Sequence, residues 1–90
     1  MKAYETLINA SIKAGNLVSV FDGEEWAVRR SQNPAECFAA VESVEEASIV
    51  IRNQSGERLG WALASDATDL TPEETVIDHT DNEYMAAILG

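Results

Sequence analysis

Leu17-Val18-Ser19-Val20-Phe21, the turn Asp22-Gly23-Glu24 and Trp26-Ala27-Val28 make one hairpin pattern, which Ile49-Val50-Ile51, the turn Ser55-Gly56-Glu57 and Trp61-Ala62-Leu63 repeat. Each copy follows an apolar helical stretch, the first opening near Glu5 and the second near Glu36. From Glu5 to Glu36 is 31 positions and from Trp26 to Trp61 is 35, so the second copy carries about four extra residues in its joint and hairpin. Apolar runs joined by short polar turns pair as antiparallel hairpins, and a helix ahead of each gives a helix–strand–strand unit. The spacing predicts an α+β fold built as an αββ-αββ pseudo-repeat, residues about 3–30 and 34–65. Its sheet has four mostly antiparallel strands, with two helices on one face and a short acidic C-terminal helix. Ninety residues with 46% hydrophobic content read as one domain, residues 1–90.

Local signals set the boundaries. Tyr4, Leu7, Ile8 and Ile12 recur at helical spacing over about residues 2–14, and Gly15-Asn16 supplies a left-handed stop. Asn33-Pro34-Ala35-Glu36 opens the second helix, with Asn as cap and Pro where a missing N–H costs nothing. That helix buries Cys37, Phe38, Val41 and Val44. The second hairpin pairs residues 48–53 with 58–65. Further on, Thr71-Pro72-Glu73-Glu74 reads as a capped single turn and Thr80-Asp81-Asn82-Glu83 as the start of a short helix. Tyr84 and Ile88, with Met85 and Leu89, form its apolar stripe.

Alternation assigns the faces of the sheet. Trp26 and Val28, with Leu59, Trp61, Leu63, Ile49 and Ile51, are expected under the helices. Gly60, Ala62 and Ala64, beside Val50, Arg52, Ala27 and Arg29, then form a low face. That face is predicted to dock the C-terminal stripe or a second copy of the chain.

Charge narrows the function. Sixteen acidic residues against six basic ones give a formal net charge of −10, beyond the roughly 2–8 units common for small soluble domains. Free nucleic acid and anionic membranes repel such a surface, whereas a basic partner attracts it. Seven acids fall in residues 59–90 (Asp66, Asp69, Glu73, Glu74, Asp78, Asp81 and Glu83) with no lysine or arginine among them. The segment 66–90 is therefore the predicted partner-binding element. A single cysteine excludes an internal disulfide, and no apolar run reaches membrane-spanning length, so a cytoplasmic location is expected.

Chemistry finds little to stand on. His79 lies between Asp78 and Thr80 without a nucleophile beside it, and reads as a surface imidazole. Cys37 sits within the apolar stripe and reads as a small buried hydrophobe. No zinc or calcium ligand spacing and no phosphate-binding glycine loop is present. Arg29-Arg30 is too small a basic cluster for nucleic acid at this net charge, and is expected to pair with nearby carboxylates. No catalytic residue, cofactor or metal follows.

In size and charge the chain is similar to small acidic accessory proteins of phages and mobile elements, some of which inhibit host nucleases or DNA-binding enzymes. The reading is a non-enzymatic interaction module binding a basic protein surface through the seven carboxylates, with nucleic-acid mimicry as its specific form. The alternative is a structural or assembly subunit that homodimerises through Gly60, Ala62 and Ala64.

Overall fold

The computed structural model describes residues 1–90, an α+β chain of three helices and one five-stranded antiparallel sheet. The elements run α1 (Ala3–Lys13), β1 (Leu17–Phe21), β2 (Trp26–Ser31), α2 (Pro34–Glu42), β3 (Ala47–Arg52), β4 (Arg58–Ala64), a 3-10 turn (Pro72–Thr75), β5 (Val76–His79) and α3 (Glu83–Leu89). The sheet order is β2-β1-β3-β4-β5. No helix is long and apolar enough to cross a membrane.

The local signals act where the sequence puts them. Gly15, at φ 86°, lets its own N–H reach the Ile12 carbonyl while the Asn16 N–H reaches that of Ser11, which closes the end of α1. The Asn33 side chain accepts the Ala35 N–H at 3.1 Å and starts α2. The cap of α3 is Asn82, accepting from the Met85 N–H at 2.9 Å, rather than Thr80. Thr80 instead extends the pairing with β4: its N–H donates to the Trp61 carbonyl at 2.9 Å, and its hydroxyl accepts the Trp61 N–H at 3.1 Å.

β5 raises the strand count from the expected four to five. Four residues are too few for alternation to register, and the free edge of β4 decides their conformation. The helix–strand–strand order does occur twice, but the hairpins differ in register. Trp26 stands beside its turn opposite Phe21, whereas Trp61 stands in mid-strand opposite Val50, so the two are not matching positions.

The faces are assigned differently from the expectation. Ile49 pairs with Ala62 and Ile51 with Gly60, so the large residues of β3 share the helix side with the small residues of β4. Trp61 and Leu63 pair with Val50 and Ser48 and lie on the opposite side. Alternation separates the two faces of a strand but does not say which is inside. Loop length sets the hairpin register, and a register shift of one residue exchanges the faces. Trp26 parts from Val28 for another reason. Register shifts between Val18 and Val20, and again between Val20 and Phe21, mark bulges in β2 that break the two-residue period. Val28 turns inward while Trp26 stands against Phe21.

One cluster of buried side chains joins the layers: Tyr4, Leu7 and Ile8 from α1, Cys37, Ala40 and Val41 from α2, Met85 from α3, and the inner residues of β1 to β4. Ala62 and Ala64 lie inside it and Gly60 is buried beside them, covered by Met85 of α3. The Tyr84 hydroxyl ties α3 to α1 by donating to Ser11 Oγ at 2.8 Å and accepting from Asn16 Nδ2 at 3.1 Å.

Candidate functional site

With all three helices on one side, the other side of the sheet is left without a covering layer. One row crosses all five strands through register partners: Trp26, Phe21, Ser48, Leu63 and Asp78. The next row holds Ser19, Val50 and Trp61, and Leu17 lies beside Arg52 in the third. Phe21 grips Trp26 edge to face, with centroids 5.2 Å apart, and Trp26 remains 38% exposed. None of Phe21, Trp26, Trp61 or Leu63 packs on the core cluster.

One corner of this face is basic. Arg29 and Arg30 from β2, Arg52 from β3, Ser19 and Trp26 line a depression of about 210 Å³. The expected pairing of Arg29 and Arg30 with carboxylates does not occur, because the one ion pair in the chain joins Lys2 to Asp66. Sequence reasoning missed this corner because Arg52 is distant in sequence and the bulges of β2 are invisible to alternation.

The seven predicted carboxylates are spread along the other edge. Asp66 is engaged by Lys2 and lines a cleft with Glu42, Glu45 and Glu46. Asp69 is exposed on the loop after β4. Glu73 and Glu74 stand on the 3-10 turn, Asp78 on β5, and Asp81 and Glu83 at the entry to α3, all exposed. Glu74 accepts the Thr71 N–H at 2.8 Å, and that hydrogen bond holds its carboxyl below the usual range. Asp78 alone of the seven shares the open face, opposite Leu63. Gly60, Ala62 and Ala64 are not on that face. Their space is filled from within the chain, with Met85 of α3 against Gly60, so of the two expected occupants it is the C-terminal helix that docks there.

The two residues with catalytic potential are placed otherwise. The Asp78 carboxylate accepts the backbone N–H of His79, and Nδ1 of the imidazole lies 2.9 Å from the Thr80 carbonyl oxygen, to which it donates. Cys37 is fully buried, and burial pushes its thiol up to about 11 against a hydrogen bond with Ser31 that lowers it. Across pH 9 to 11 the folded state keeps this proton while the unfolded state has lost it, so stability falls as pH rises through that window. Burial also lifts the Tyr4 hydroxyl above its ordinary value, which extends the loss to higher pH. Thermal melts across this range should show a falling midpoint, with a shallower fall in Cys37→Ala. At neutral pH a thiol reagent should label Cys37 only after denaturation.

Compared with protein-family models, curated proteins and solved structures, the chain matches none.

Proposed function

We propose that this chain is a small acidic, non-enzymatic protein-interaction module whose partner presents a basic surface, such as a protein that itself binds nucleic acid. The observation that carries the reading is the exposed carboxylate edge: Glu73, Glu74, Asp78, Asp81 and Glu83 follow one another from the 3-10 turn through β5 to α3 without an ion-pair partner. Such a field speeds encounter with a basic groove, and it weakens with salt as the Debye length falls from about 10 Å at 0.1 M to about 3 Å at 1 M. Asp78, on the outermost strand, also discourages edge-to-edge pairing of β5 with other sheets. Mimicry of nucleic acid is the specific form of the proposal. The homodimer alternative loses its surface, since Ala62 and Ala64 are fully buried.

The test is capture on the immobilised protein, identification of what is retained, and reconstitution from purified components. Reversing Glu73, Glu74 and Asp78 to lysine should weaken the complex at least about tenfold at low salt while leaving the melting temperature near that of the parent. A complex that forms equally well with the reversed variant, at low and high salt alike, refutes the reading.

A further inference from the structure

Three of the four arginines in this acidic chain converge on one spot, and nothing in the chain neutralises them. The Arg52 guanidinium donates to the Gly56 carbonyl at 3.0 Å, and a β-carbon placed on Gly56 would lie 3.8 Å from Arg30 Nη1. Two like charges thus share one turn, with Arg29 beside them. No carboxylate comes within 4 Å of any of the three. Of the acids on the flanking turns, two are engaged elsewhere, and the exposed Glu24 and Glu25 carboxylates form no ion pair with the arginines. Asp22 accepts the N–H groups of Glu24 and Glu25, and Glu57 accepts from the Asn53 side chain.

The backbone is bent to build this arrangement. Successive residues of a strand point to opposite faces, yet Arg29 and Arg30 line the same depression. Arg30 achieves this at φ 47°, the one non-glycine residue in the left-handed region, held by its N–H on Ser19 Oγ at 2.9 Å. Bulges and strained residues that re-aim side chains gather at binding sites.

We infer that this corner binds a nucleoside monophosphate, a sugar phosphate monoester whose sugar also carries a flat base. Three guanidiniums offer more charge and more paired donors than one carboxylate can accept, whereas a phosphate dianion presents three oxygens to them. Trp26, partly exposed and held in place by Phe21, gives the base a surface to stack on. The depression is smaller than the roughly 300 Å³ at which small-molecule sites begin, so it takes the phosphate and leaves the base on Trp26. The net charge of −10 disfavours a longer polyanion, which would carry further phosphates into the repelling field. None of these residues belongs to the carboxylate edge, so this site and the proposed function stand or fall separately.

Adenosine monophosphate, inorganic phosphate and adenosine are titrated separately into the isotopically labelled protein. The arginine Nε–H and tryptophan indole N–H signals are followed by NMR. Adenosine monophosphate should shift Arg29, Arg30, Arg52 and Trp26 and leave Trp61 in place, and phosphate alone should bind at least about tenfold more weakly. Arg30→Gly should keep or raise the melting temperature, because glycine adopts a positive φ freely, and still lose at least about tenfold in affinity. Arg29→Ala, an exposed site, should weaken binding in an unchanged fold. No arginine shift at about 10 mM adenosine monophosphate, or equal affinity in Arg30→Gly, overturns the proposal. So does phosphate binding as tightly as the nucleotide, or arginine shifts that appear on concentrating the protein alone, which would assign the corner to carboxylates of a second copy.

Discussion

Tyr4→Ala should cost about 3–5 kcal/mol and lower the melting temperature by roughly 12 °C or more. Tyr4 is fully buried as the second residue of α1, and its ring meets that of Phe38 edge to face with centroids 6.2 Å apart. Such an aromatic pair contributes about 0.5–1.5 kcal/mol beyond the area it buries. Its backbone N–H reaches Thr75 Oγ1, which links α1 to the turn before β5, so a cavity here loosens both ends of the sheet's cover. Tyr4→Phe separates the ring from the hydroxyl. The hydroxyl lies 3.5 Å from Glu42 Oε2, a long contact, so its loss should cost no more than about 1 kcal/mol. Chemical denaturation of both variants measures the difference, and a Tyr4→Phe cost equal to that of Tyr4→Ala would show that the hydroxyl, not packing, holds this corner.

Gly60→Ala should destabilise the protein by about 1–3 kcal/mol, although a strand interior ordinarily gains from exchanging glycine for a residue with a side chain. A β-carbon on Gly60 would stand 2.4 Å from Met85 Sδ and 2.8 Å from its Cγ. Methionine is flexible, but Met85 is fully buried in the core, so its side chain yields only by displacing close-packed neighbours. Met85→Ala alone should cost about 2–5 kcal/mol, because it empties the same space. The double variant should therefore be more stable than the sum of the two single changes by about 1 kcal/mol or more, the sign of direct contact. Additive effects would show that α3 does not seat Met85 on Gly60.

These residues mark what the sequence could and could not convey. The end of α1 at Gly15, the Asn33 cap and the single turn at Pro72 were readable because each is decided within a few residues of itself. The small side chains of Gly60, Ala62 and Ala64 were also visible as an opportunity for close approach. Their side of the sheet was not, because it depends on the register across the Asn53–Glu57 turn and on where the helices settle. Val76–His79 became a strand because β4 offered an edge, which no local pattern announces. The candidate carboxylates were legible from composition alone. The arginine corner was not, since it needs two bulges and a crossing of β1 to assemble.

The seating of Met85 on Gly60 has a consequence in time. A nascent chain emerges in order, at about 5–20 residues per second, so β4 exists for about 1–4 s before α3 can reach it. During that interval Gly60, Ala62 and Ala64 form a smooth apolar floor without its lid, and the outer edge of β4 has no β5 to pair with. Both are surfaces on which unfinished chains join one another. The speed with which β5 and α3 follow β4 therefore sets how long these surfaces stay open to other chains.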